Sequence, residues 1–216
     1  MENTEQPAMS ISNEPGSFRL IATLGVAGLV SGMCLVGAFL YTEPLILAAK
    51  ARALEAAVYE VLPGCSTYEV FEWSGGKLEK TTGVSGPGER VFLGYDASGK
   101  AIGYAVQAQV PGFQDIVAGI FGYLPDSKTI IGFKVLESKE TPGLGDKIIK
   151  DQAFLKNFEK LTVEPEIVLV KAGQKANPNE VDAITGGTLS SRAVVSLLNK
   201  GVSDWKPRLE NRNSEK

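Results

Sequence analysis

The stretch RVFLGYDASGKAIGYAVQAQV, Arg90 to Val110, decides how the chain folds. Two runs rich in β-branched and aromatic residues flank Asp96-Ala-Ser-Gly99, a cluster of turn formers. That pattern predicts two strands joined by a tight turn. The following residues repeat the theme. DIVAGIFGYL reads as a strand, PDS as a turn and KTIIGFKVLES as another strand. Strands joined by such short connections pair antiparallel. Farther on, DQAFLKNFEKL reads as a helix with Asp151 as its N-cap. PEIVLVKAG reads as a strand, and SRAVVSLLNKG as a helix ending at Gly201. Helices and strands mix without strict βα alternation, so the class is α+β. The terminal KPRLENRNSEK is polar and reads as a frayed tail.

Upstream of the sheet lies LIATLGVAGLVSGMCLVGAFLY, Leu20 to Tyr41, 22 residues without a charge. At 1.5 Å per residue it reaches about 33 Å, enough to cross a bilayer core. A signal peptide is the competing reading, but the run is longer than an apolar signal core. Lipoprotein processing at Cys34 would place Met33, a large residue, just before the cut. A buried soluble helix is the third possibility. The run is taken as a retained membrane anchor contacting lipid. EPLILAAKARALEAAVYEVLPG then reads as helix, bent or broken at Pro44 and ended at Pro63-Gly64. Arg19 precedes the span, while Lys50 and Arg52 follow it. Flanking charge therefore leans weakly against an inside N-terminus.

Composition removes several chemistries. The 216 residues contain no histidine, which excludes the usual catalytic triad and a histidine-held haem. A net charge of −3 gives no footprint for nucleic acid. The two cysteines, Cys34 and Cys65, match no zinc spacing. Hydrophobic content of 44% supports a packed core, and 24 glycines imply many tight turns.

Two loops carry what remains. In SKETPGLGDK, Ser138 to Lys147, Pro142, Gly143 and Gly145 force an open backbone between a strand and a helix, with room for a flat ligand. The plain alternative is a connecting turn. In DAITGGTLSS, Asp182 to Ser191, Thr185, Gly186, Gly187 and Thr188 stand at the mouth of a helix. A helix N-terminus offers unpaired N–H groups to a phosphate, and a hydroxyl there can hydrogen-bond it or be joined to it. Here the plain alternative is an ordinary N-cap.

Taken together, an apolar anchor, a glycine-rich β region, ETPGLG, a helix, a strand and DAITGGT before a helix resemble the FMN-binding domain family. That family comprises the G subunit of Rnf complexes and the C subunit of sodium-pumping NADH:quinone reductases. Its flavin-attachment motif is an acid, two spacers, Ser or Thr, Gly, Ala and Thr. Asp182, Thr185, Gly186 and Thr188 match it, with Gly187 in place of the usual Ala. The resemblance implies one covalent FMN, held as a phosphoester on Thr188, with Ser190 the nearest alternative acceptor. It implies that Glu140, Thr141, Gly143, Leu144 and Gly145 pack the flavin, and that Gly112-Phe113 is a further family position. A phosphoester tether needs only a hydroxyl, which fits a chain without histidine.

The short chain and the TGxTLSSRAV form are more similar to the Rnf side. The implied activity is electron relay within an ion-translocating ferredoxin:NAD+ oxidoreductase. Its implied partners are other membrane and iron–sulfur subunits, with a flavin transferase for maturation. The quinone-reductase C subunit and a stand-alone flavinylated carrier are the alternatives. The expected organisation is a cytoplasmic tail at 1–17, a transmembrane helix at 18–41 and a juxtamembrane helix at 42–64. An extracytoplasmic FMN-binding domain at 65–204 and a polar tail at 205–216 follow. The resemblance sets this orientation against the weak local charge signal.

Overall fold

A computed structural model describes residues 16–83 and 89–214. The expected cytoplasmic tail lies almost wholly outside the described residues. The chain divides into two units, residues 1–49 and 50–216.

The first unit holds most of helix α1, Ser17–Val61. The helix expected after the apolar run continues it, and the break considered at Pro44 is not there. Its large apolar side chains from Phe18 to Leu47 are exposed. It is the one helix among the described residues long and apolar enough to cross a membrane. An exposed apolar surface of that length suits lipid rather than water.

In the second unit the chain runs through β1 (Thr67–Ser74), β2 (Lys77–Thr81), β3 (Arg90–Tyr95), β4 (Ala101–Pro111), β5 (Ile116–Leu124) and β6 (Thr129–Glu137). Short helices α2 (Lys147–Lys150) and α3 (Gln152–Leu155) follow, then a 3₁₀ turn at Lys156–Phe158. Strands β7 (Leu161–Thr162), β8 (Val168–Val170) and β9 (Glu180–Asp182) lead to helix α4, Thr188–Ser214. The main sheet is antiparallel in the order β2-β1-β3-β4-β5-β6-β7, and β8 and β9 form a small parallel pair. The predicted hairpin is β3–β4, with Val91 opposite Val106 and Leu93 opposite Tyr104.

Alternation along the strands feeds two cores. Val91 and Leu93 of β3, with Tyr104 and Val106 of β4, join the core that contains Val194, Leu197 and Leu198 of α4. Phe92 and Ala105 point the other way, into a second core with Leu54, Ala57, Val58 and Val61 of α1 and Leu62 beyond it. Each fully buried valine or leucine contributes about 1.5–3 kcal/mol.

Glycines inside the strands let α1 come down on the sheet. Gly122 of β5 and Gly132 of β6 are paired across the strands. A Cβ on Gly122 would stand 2.0 Å from the Val61 carbonyl oxygen, and one on Gly132 2.8 Å from it. Their task is close backbone approach, not turning.

Two expected helix ends are moved. The helix predicted to stop at Gly201 continues to Ser214. A Cβ at Gly201 would meet the Phe121 ring at 2.6 Å, so this glycine is a crossing point of helix and sheet. Leu198, Val202, Trp205 and Leu209 are buried at spacings of four, three and four, which keeps the apolar stripe on the sheet. The supposed frayed tail is therefore helical through Ser214, and Arg208 packs over the Trp73 and Trp205 rings while pairing with Glu89. In the other case, the helix predicted from Asp151 is cut short. Asp151 does cap it, accepting from the N–H groups of Ala153 and Phe154. The last turn then tightens so that Phe154 and Phe158 meet edge to face at 5.1 Å.

Candidate functional site

The site forms where two loops meet at the start of α4. The first leaves β6 and runs through Glu140-Thr141-Pro142-Gly143-Leu144-Gly145. Thr141 carbonyl accepts from the N–H groups of Leu144 (3.2 Å) and Gly145 (2.9 Å), which curls the loop. Gly143 has φ +79°, a left-handed conformation suited to glycine. Its N–H donates to Asp146 Oδ1 at 2.7 Å, and Lys150 donates to Asp146 Oδ2 at 2.7 Å. The Lys150 bond, aided by the Gly143 N–H, holds the Asp146 carboxyl below the usual range.

The second loop, Asp182 to Gly187, enters α4. The hydroxyls of DAITGGTLSS divide into two pairs. Ser190 and Ser191 are buried and structural. Ser191 Oγ accepts from the Ile184 N–H at 3.0 Å and donates to the Gly187 carbonyl at 2.9 Å, closing the loop on the helix. Ser190 Oγ donates to Glu140 Oε2. Thr185 and Thr188 are exposed. The Thr188 hydroxyl has no hydrogen-bond partner among the described residues, so it is not spent on capping.

Glycines let one loop lie on the other. A Cβ on Gly187 would be 2.9 Å from the Leu144 carbonyl oxygen, and one on Gly186 3.3 Å from Leu144 Cδ2. An alanine at Gly187, as the resembled motif has it, would need that carbonyl to give way here. Between the loops is a cleft of about 340 Å³, within the range of ligand sites. Thr188, Gly186, Gly187, Leu144, Thr141 and Gly145 line it, with Phe113 and Leu189. Phe113 is 62% exposed, Leu144 49% and Leu189 51%. Three large apolar side chains are thus held half open around one hydroxyl, an apolar surface of the kind that marks a ligand groove.

Two of the expected site residues also have structural roles, and one of them, Glu140, lines the cleft. Glu140, 6% exposed, is a clamp. Its Oε1 accepts from the N–H groups of Phe113 (2.8 Å) and Gln114 (3.2 Å), and its Oε2 from Ser190. Gly145 lies against that clamp, since a Cβ there would be 2.6 Å from Ser190 Oγ and 2.8 Å from Glu140 Cβ. Gly112 serves it likewise, with a Cβ 2.5 Å from Glu140 Oε1. Asp182 accepts from the N–H groups of Gln174 and Lys175, both at 3.0 Å, and so pins the turn after β8. Ser191 and Leu189 were missed as loop staple and cleft wall. The adjacent serines in the first turn of a predicted helix were the available signal for the staple.

The chain has recognisable relatives among known proteins. The FMN-binding domain family matches residues 112–203, from the Gly112 turn to the middle of α4. The G subunit of the ion-translocating oxidoreductase complex of Methanosarcina acetivorans is 30% identical over 184 residues, 85% of this chain and 92% of that protein. The G subunit of the Na(+)-translocating ferredoxin:NAD(+) oxidoreductase complex of Acetobacterium woodii is 33% identical over 150 residues, 66% and 69% of the two chains. Among solved structures, NqrC of Shewanella oneidensis has a similar fold, with TM-score 0.63 at 22% identity, over 76% of this chain and 99% of that one.

Proposed function

This chain belongs to the family of G subunits of ion-translocating oxidoreductase complexes, and on that premise we propose that it is an electron-transport flavoprotein subunit, anchored by α1 and carrying one covalent FMN on Thr188. The observation that supports the reading best is the meeting of the ETPGLG and DAITGGT loops around an uncommitted threonine hydroxyl. FMN, when bound, supplies one- and two-electron redox chemistry.

The chain's own residues supply position. Thr188 Oγ1 is the oxygen through which the phosphoester is held. Gly186 and Gly187 keep side chains out of the gap between the loops. Leu144, Phe113 and Leu189, exposed apolar side chains around the cleft, would cover the ring's apolar surface and so leave water. Glu140 holds Phe113 and α4 in register by gripping both the Gly112 turn and Ser190. Ser190 is not the acceptor in this reading, because its hydroxyl is buried and committed to Glu140.

Electrons reach and leave this domain through other subunits. An iron–sulfur cluster takes four protein ligands, usually thiolates, and the chain has two cysteines and no histidine. The partners are accordingly the other membrane and iron–sulfur subunits of an Rnf-type complex, with a flavin transferase for attachment. The domain lies on the extracytoplasmic side in this proposal.

The test is in-gel flavin fluorescence of the denatured chain, backed by intact mass. Wild type should fluoresce and carry one flavin, and Thr188→Ala should carry none while keeping its fold. A Thr188→Ala band as bright as wild type would move the acceptor elsewhere.

A further inference from the structure

Thr188 and Gly186 line a second cleft besides the Leu144 cleft, with a volume of about 470 Å³. Its walls include Lys171 and Arg192 and contain no carboxylate. Neither cation has an ion-pair partner among the described residues. In a chain of net charge −3 this is a local reversal of sign.

The two cations, both exposed, reach the cleft from separate elements. Arg192 follows Thr188 by four residues on α4, so the two side chains share one face of the helix. Lys171 opens the turn after β8. The Gln174 N–H donates to its carbonyl at 2.9 Å, and Gly173 takes the left-handed conformation, φ +76°, inside that turn. Asp182, hydrogen-bonded to Gln174 and Lys175, locks the turn to β9 and so sets where Lys171 begins. The motif's acid thereby acts on the cleft through the turn, as a positioning residue.

We propose that the Lys171–Arg192 cleft is the subsite for the phosphate of the flavin nucleotide. The two clefts sort the ligand by chemistry. The apolar Leu144 cleft takes the ring, and the cationic cleft beyond Thr188 takes the anion. Guanidinium and ammonium groups form short, charge-assisted bonds to phosphate oxygens. The first amides of α4 add to the same field. The proposal rests on Thr188 being the flavin carrier and goes beyond it by assigning the anion's partners.

The experiment uses the full chain in detergent with Thr188→Val, which keeps the side-chain shape and removes the hydroxyl. FMN and riboflavin are titrated in parallel by fluorescence. Riboflavin has the ring and lacks the phosphate, so it also checks that the ring cleft is intact. FMN should bind about tenfold more tightly than riboflavin, an advantage that shrinks as salt rises. Arg192→Gln and Lys171→Gln should each weaken FMN about five- to tenfold and leave riboflavin unchanged. Equal affinities for the two flavins, or an FMN advantage that survives both substitutions, overturns the subsite while leaving the ring cleft standing. Binding of neither flavin refutes the ring cleft, and the subsite with it.

Discussion

Glu140→Ala should part the two loops, and the size of the effect follows from what the carboxylate holds. It is 6% exposed and accepts from the Phe113 and Gln114 N–H groups and from the Ser190 hydroxyl. Alanine leaves three donors without an acceptor and removes buried volume. Each buried donor left unmade costs about 1–3 kcal/mol, with Ser190 near the top because it is 3% exposed. Water reaches the two loop amides, so the sum is about 3–4 kcal/mol. Glu140→Gln is the control. Its amide oxygen still accepts from the two backbone N–H groups, and its NH₂ can donate to Ser190 Oγ if that hydroxyl turns. The loss is then about 1 kcal/mol, the difference between charged and neutral bonds. The assay is thermal unfolding of the detergent-solubilised full chain, where 1 kcal/mol shifts the midpoint by about 2–4 °C in a domain of this size. Glu140→Ala should fall by about 10 °C and lose flavin attachment, and Glu140→Gln should fall by about 3 °C and keep it. Equal losses for the two variants, or a cost below about 1 kcal/mol for alanine, would refute the clamp.

Three further outcomes are expected. Asp146 has a carboxyl held low by Lys150 and the Gly143 N–H. Its stabilising contribution is therefore present above the ordinary carboxylate pKa of about 3.9 and is lost as pH falls through the lowered folded value. Asp146→Asn should lower the unfolding midpoint at pH 7, and its gap from wild type should close below about pH 4; a gap that widens in acid would reverse the sign. Tyr123 is 1% exposed and its hydroxyl has no partner among the described residues. Tyr123→Phe should leave stability within about 1 kcal/mol of wild type or raise it, and a loss above about 2 kcal/mol would reveal an unseen partner for the hydroxyl. For orientation, a membrane-impermeant thiol reagent should label Ser214→Cys in intact cells with any outer envelope permeabilised, in a chain whose Cys34 and Cys65 are replaced. Ser10→Cys should stay unlabelled until the inner membrane is broken, and the opposite pattern would place the domain in the cytoplasm.

The sequence alone determined whatever depends on local pattern. An uncharged run of 22 residues is an apolar helix in any fold. The β-branched and aromatic runs on either side of Asp96-Ala-Ser-Gly99 predicted the hairpin, and Asp151 capped its helix because a cap needs only the next two or three N–H groups. The motif residues were legible too, since Thr185, Gly186, Gly187 and Thr188 lie together at a predicted helix start. Tertiary structure decided what each of them faces. Gly201 looked like a helix end, but a glycine stops a helix only where the chain then turns, and here Phe121 fills the space a Cβ would need. Gly122 and Gly132 lie inside predicted strands, and only packing showed that they let the end of α1 approach the sheet. Glu140 was expected beside the flavin, and only packing showed that it also clamps Ser190, 50 residues later. Family resemblance singled out Thr188 among the four hydroxyls of DAITGGTLSS, but local spacing alone did not say which of them are buried. Only packing buried Ser190 and Ser191 and left Thr185 and Thr188 exposed, because burial is set by elements distant in sequence that no local spacing encodes.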